Sequence, residues 1–326
     1  ISCSSNSTSE TAKEDKYPEL TTKARSIFAV LPVDAEKAED PLTAEKVALG
    51  KMLYFDNRLS KDDKQSCNTC HDLAKFGVDN KALSEGNDGT LGVRNSPTTL
   101  NSALHFVQFW DGREPDVEAQ AGGPILNHIE MAMPSEKALI DKLSAIEEYK
   151  IAFSKAYPED NPAITFDNLK KAIGAFERKL ITPSKFDDYI GGNQAALTDA
   201  EKEGMRTFMD VGCTTCHSGR LLGGMMYQKF ALYGNYWDFT KSTVIDEGRF
   251  EVTKQESDKY MFKVPSLRNI DKTGPYFHDG SVASLDEAIT IMGQTELNKE
   301  LSGMEVMQIK TFLSTLTGTL PAELLQ

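Results

Sequence analysis

The hydrophobic positions of this 326-residue chain recur mostly with a helical period. Phe166, Leu169, Ile173, Phe176 and Leu180 step by three or four residues and make one apolar stripe. Leu139, Ile140, Leu143 and Ile146 make another behind Pro134-Ser135, a helix start signal. Ile309, Phe312, Leu313 and Leu316 predict a late helix stopped by Gly318. All three stripes are expected to face a core. Long alternating runs are absent, and only "GRFEVT" at 248–253 reads as a short strand or hairpin arm. Residues 1–18 predict a disordered tether.

A weak repeat organises the rest. "LTAEKVALGKMLYFD" begins at Leu42 and "LTDAEKEGMRTFMD" at Leu197. Each predicts a capped helix with an early Gly and a late Phe, and Thr198 and Glu201 have capping-box spacing. A unit used twice implies two domains of one type, 19–182 and 183–326. The break is expected within 180–196, where Pro and Gly cluster. The last helices are candidates to pack back onto the first domain.

Composition narrows the function. No apolar run approaches the roughly 18 residues of a membrane-spanning helix. A formal charge of −13 argues against nucleic acid, which needs a basic face, and suits a basic protein partner. Four of the five cysteines fall in two motifs. The fifth, Cys3 in "ISCSSNSTSE", resembles the lipid-bearing cysteine of a bacterial lipoprotein signal, and the missing first Met reads as processing.

The two motifs are "SCNTCHD" and "GCTTCHS", giving Cys67, Cys70, His71 and Cys213, Cys216, His217. Cys-x-x-Cys-His is the attachment signature of c-type haem. Two thiols three apart reach the two vinyl groups on one porphyrin edge, and the next residue can bind iron from the proximal side. A four-Cys zinc site or a redox dithiol are the rivals. Zinc needs no His after each pair, and the strand-then-helix context of a thioredoxin-like site is missing. Two such motifs imply two covalently attached haems and attachment outside the bacterial cytoplasm.

An iron with two protein ligands passes electrons, and one with an open side can activate a small molecule. For the second haem, "SLDEAITIMGQTEL" offers Met292, in competition with Met225, Met226 and Met261. For the first, no His follows until His105. The stretch after it holds Trp110, Gln120, His128 and Glu130. A carboxylate and an amide beside an open iron suit peroxide, because one oxygen must lose a proton and the other gain one. Glu130 alone also reads as a solvated acid.

From about residue 20 onward the chain resembles the bacterial di-haem cytochrome c peroxidases. The resemblance rests on both haem motifs with "FDNRLSKD", "FGVD", "RNSPTTLN", "QFWDGR", "AQAGGP", "IEM", "FERKLITP", "PSLRNI", "PYFHDG" and "IMGQTEL" in order. It implies an all-α fold of two cytochrome-c-like domains, each with one covalently attached haem c. His71 would serve a low-potential peroxidatic centre, and His217 with Met292 a high-potential electron entry. Trp110 matches the tryptophan between the haems, Gln120 and Glu130 the distal amide and acid–base carboxylate. A calcium ion is implied at the Asn95 side chain and the carbonyls of Thr273 and Pro275, oxygen ligands of the kind it favours. The implied reaction reduces hydrogen peroxide with electrons from a small cytochrome c or cupredoxin in the periplasm, and dimers are common in the family. The rivals are a di-haem electron-transfer cytochrome and a protein-oxidising relative, in which a tyrosine can replace the methionine. One departure stands out. Many relatives cap the peroxidatic iron with a loop histidine, and here the matching position is Asn87. An iron without a histidine cap in the oxidised enzyme is therefore expected, with His128 and Met131 the nearest substitutes in sequence. His105 and His278 read as structural.

Overall fold

A computed structural model describes residues 16–325, and Cys3 with its expected lipid lies outside them. The described residues are mostly helical. In the first half run α1 (Pro18–Ile27), α2 (Ala44–Phe55), α3 (Cys67–Cys70), α4 (Val117–Leu126), α5 (Glu136–Ser144), α6 (Glu147–Ala156) and α7 (Phe166–Glu177). The second half holds α8 (Lys185–Gly191), α9 (Asp199–Val211), α10 (Tyr236–Thr240), α11 (Phe250–Thr253), α12 (Leu285–Leu297) and α13 (Gly303–Ser314). β1 (Tyr227–Lys229) and β2 (Met261–Lys263) pair antiparallel, Gln228 opposite Phe262.

The apolar stripes lie where helical periodicity puts them. Leu169, Ile173 and Phe176 of α7 are buried, as are Leu139 and Leu143 of α5 and Ile309, Phe312 and Leu313 of α13. "GRFEVT" is not a strand. Residues 250–253 form α11, closed by Lys254 in the left-handed region at φ 57°. Gly248 makes a single bridge to Met261 of β2, and Arg249, whose guanidinium donates to the Asp111 carbonyl and the Tyr227 hydroxyl, then carries the chain into α11 instead of along the ladder.

The repeat has a steric cause. α2 is capped by Thr43, whose side chain accepts from Lys46 N–H, and α9 by the reciprocal Thr198–Glu201 box. The glycine of each unit sits at a helix crossing. A Cβ on Gly50 would lie 1.8 Å from the Ala172 carbonyl oxygen of α7, and one on Gly204 2.2 Å from the Gln308 carbonyl oxygen of α13. In both units a bare glycine lets the helix ahead of the cysteine motif touch its partner's backbone.

The main cores follow the two halves. Leu49, Leu53, Ile125, Leu139, Phe153, Leu169 and Ile173 share one cluster. Phe186, Tyr189, Met205, Phe208, Ile289, Ile309 and Phe312 share another. The chain ends depart from the expected division. The helix α1 starts at Pro18, inside the expected tether, and Leu20, Ala24 and Phe28 join the core of the second half instead of the first. At the other end α13 stays with α9's cluster. Only the tail beyond it crosses, where Leu320 and Leu324 pack on Tyr54, Leu73 and Phe176.

Candidate haem and peroxide sites

Both motifs fold into one helical turn. In α3 the His71 N–H donates to the Cys67 carbonyl at 3.0 Å, and the Ser66–Thr69 capping box fixes the start of the turn. At the second motif the His217 N–H donates to the Cys213 carbonyl, also at 3.0 Å, after Gly212 in the left-handed region. Cysteines three apart in such a turn present both sulphurs on one side. No disulfide joins these cysteines, and burial pushes all four thiols above the ordinary range. Among the described residues no three His, Cys, Asp or Glu side chains converge as a metal site.

The second motif opens on a cavity of about 360 Å³ with mostly apolar walls. Cys213, Cys216, His217 and Met292 line it together. His217 is half-buried and its Nδ1 lies 2.9 Å from the Leu222 carbonyl, which orients the ring and leaves Nε2 as the other nitrogen. Burial holds the imidazole below its usual pKa, in the neutral form that binds iron. Of the competing methionines, Met225 and Met226 are exposed, and neither they nor Met261 lines the cavity. The donor set, the apolar wall and the volume fit a haem.

Near the first motif lie a histidine and a mostly buried carboxyl. His71 is half-buried, and burial lowers its pKa against the opposing pull of the Gly77 and Pro97 backbone. Its Nδ1 is buried without a hydrogen bond, while Tyr54 donates to its carbonyl at 2.8 Å. The neutral imidazole and the buried thiols suit an iron-bound group here as well. Glu130 lies in the turn after α4, mostly buried, and accepts a 2.7 Å hydrogen bond from Asn127 Nδ2. Burial raises its pKa, opposed by that bond and by the charge of Arg113. Its own charge in turn reaches Cys70 and helps raise that thiol. Gln120, on α4, is half-buried.

Asn87 is held away from any ligand role. Its Nδ2 donates to Asp62 Oδ2 at 2.8 Å, its Oδ1 accepts from Asp62 N–H, and its own N–H donates to the Glu130 carbonyl at 2.7 Å. The neighbouring Gly86 has no room for a side chain, since a Cβ would lie 1.6 Å from the Ile129 carbonyl oxygen. The loop is thus laid tightly on the Glu130 turn. Of the nearby substitutes, His128 is exposed and Met131 is buried in the first half's core.

Trp110 joins the two halves. Its Nε1 donates to the Asn95 carbonyl at 2.9 Å, and its own carbonyl accepts from the Lys263 N–H at 2.8 Å. Asn95, Thr273 and Pro275 border the same cavity. Asn95 Nδ2 donates to the carbonyls of Lys81 and Ala82, which leaves Oδ1 as its acceptor, and its N–H donates to the His278 carbonyl. Both His105 and His278 line the cavity, the latter stacked on Phe262 at 4.4 Å.

Known proteins resemble this chain in sequence and fold. The family model for di-haem cytochrome c peroxidase matches residues 44–195. The chain is 44% identical to cytochrome c551 peroxidase of Nitrosomonas europaea, over 89% of this chain and 85% of that one. It is 42% identical to cytochrome c551 peroxidase of Pseudomonas aeruginosa, over 93% and 87%. The chain belongs to the di-haem cytochrome c peroxidase family. Among solved structures, a MauG-like protein associated with microbial copper homeostasis superposes with a TM-score of 0.80 at 27% identity, covering 91% of this chain and 96% of that one. Membership makes the protein a peroxidase of the two-haem kind, with an all-α fold.

Three residues of this peroxidase escape a reading of the sequence. Asn127 orients Glu130, Asp62 immobilises Asn87, and Lys263 enters the cavity wall from β2. Only Asn127 leaves a local trace, as a polar residue closing α4 whose Oδ1 accepts from Ile129 N–H.

Proposed function

We propose that the peroxidase reduces hydrogen peroxide to water at the His71 motif, with single electrons entering at the His217 motif. The donor would be a small cytochrome c or cupredoxin, and the compartment the periplasm. Bound haems would supply an iron that accepts peroxide and an iron that relays electrons. Cys67 and Cys70 would carry the first haem, Cys213 and Cys216 the second. His71 would be one proximal ligand, and His217 with Met292 would close the other iron. In this reading residues 19–182 and 183–326 are the two haem domains, with their chain ends exchanged. Attachment of a lipid at Cys3 and assembly of a homodimer belong to the same reading.

Glu130 does the proton work. In its ionised form it takes the proton from the near oxygen of peroxide, and it returns that proton to the far oxygen, which leaves as water. Two donor electrons and two protons complete the reduction to two waters. Gln120 would hold the peroxide with its amide. Trp110 would lie on the electron route, since its hydrogen bonds tie the first half's Asn95 to the second half's β2. Calcium would bind Asn95 Oδ1 and the carbonyls of Thr273 and Pro275, which accept no hydrogen bond among the described residues.

One observation carries the catalytic assignment: a mostly buried carboxyl with a raised pKa, held by Asn127 within electrostatic reach of Cys70. Steady-state peroxide reduction by Glu130→Gln against wild type tests it. A loss of about two orders of magnitude is expected for a removed acid–base group. An unchanged rate would remove Glu130 from the chemistry.

A further inference from the structure

β2 ends in a cation that has no anion. Lys263 is 5% exposed and lines the cavity shared by Cys213, Cys216, His217 and Met292. Among the described residues it makes no ion pair, and its Nζ has one partner, His105 Nδ1 at 3.2 Å. Burial alone acts on it, pushing its pKa down to about 8. A buried ammonium costs several kcal/mol unless it is paired. An ammonium has three donors, and His105 occupies one of them. The ring is itself neutral, since burial and the lysine's charge both push its pKa well down. His105 is in turn packed on Gly224, where a Cβ would lie 2.7 Å from its Cδ2, so the acceptor is fixed in place. A positioned cation with two spare donors in an apolar cavity calls for a carboxylate.

We propose that Lys263, oriented by His105, is the anion seat of the second cavity and holds a carboxylate of the haem bound there. This rests on the haem reading of the His217 motif. The lysine then has two effects. It orients the group about its attached edge, and its positive charge favours the reduced iron, which carries one positive charge fewer. A freely diffusing anion in the same seat would be the other source of the same chemistry.

Holoprotein with Lys263→Gln is compared with Lys263→Arg and wild type. Pyridine haemochrome spectra first count the haems, and fewer than two per wild-type chain would count against the haem reading itself. In Lys263→Gln the reduced-to-oxidised ratio of the second haem at fixed potential should fall about tenfold, equivalent to 59 mV for one electron. Its propionate bending band in resonance Raman spectra should move as well. Lys263→Arg should keep both near wild type, and added chloride should leave wild type unchanged. An unaltered ratio and band in Lys263→Gln would overturn the proposal, as would chloride reproducing the variant's shift. Should Lys263→Gln lose its second haem, His105→Gln is read instead. A fall of about threefold is expected from the disoriented charge, and no fall would overturn the proposal equally.

Discussion

Glu130 is pulled in two directions. Burial drives it towards the protonated form, while Asn127 and Arg113 favour the ionised form that can accept peroxide's proton. Below its pKa the base is lost, so activity falls on the acid side. Asn127→Ala removes a donor to the carboxylate and raises that pKa further. The acid limb of the pH–rate profile should shift to higher pH, with about a tenfold loss on that limb, the usual worth of a hydrogen bond to a charged group. An unshifted limb would separate Asn127 from the acid. Asn87 makes a second expectation at this scale. Its amide is spent on Asp62, while His128 is exposed and Met131 lies in the first half's core. The oxidised holoprotein should therefore give a high-spin ferric EPR component. Two wholly low-spin haems would contradict this. These side chains mark where sequence reading stops. Asp62 lies 25 positions from Asn87, so only the fold can bring them together. The cysteines and histidines of the two motifs, by contrast, need one helical turn and are legible as such.

At the scale of elements, α5, α7 and α13 are legible because each joins an apolar stripe to a capping residue, Ser135, Thr165 and Ser302. The repeat was legible too, but its physical reason was not. Gly50 and Gly204 face backbone carbonyls of helices more than a hundred residues away in the chain. Gly50→Val and Gly204→Val should each destabilise the protein by about 1–3 kcal/mol, the common cost of forced overpacking. Urea unfolding of the holoprotein would measure it, and a neutral result would mean that the helices can separate freely. Residues 248–253 were misread because their strand-like composition is outweighed by Arg249, whose partners lie on β1 and after Trp110.

Across the whole molecule, Arg94 ties the halves together. Its guanidinium contacts Asp111 at 2.5 Å and Asp246 at 2.6 Å, and it is largely buried. Burial would raise the Asp246 carboxyl, but the bonds to Arg94 outweigh it and hold the pKa below the ordinary value. A depressed folded pKa gives stability that is present above the unfolded value and lost as pH falls through the folded one. Arg94→Met should cost about 3–5 kcal/mol at neutral pH, because it leaves buried carboxylates unpaired. The difference from wild type should shrink in acid, as the carboxylate left unpaired in the variant protonates before the Arg94-held one does. Denaturation midpoints at pH 7 and pH 3 would measure this, and an equal deficit at both would exclude the carboxylate as its source.

The crossed chain ends set the order in which the molecule can be completed. Leu20, Ala24 and Phe28 are made well before α8, α9 and α13, which build the surface that receives them. The opening helix must wait unhoused until nearly the whole polypeptide has arrived. Leu320 and Leu324 then close over Tyr54 and Phe176 of a half finished long before. A fragment ending near Pro183 would therefore carry a helix with nowhere to dock and lack the strip that seals its own flank.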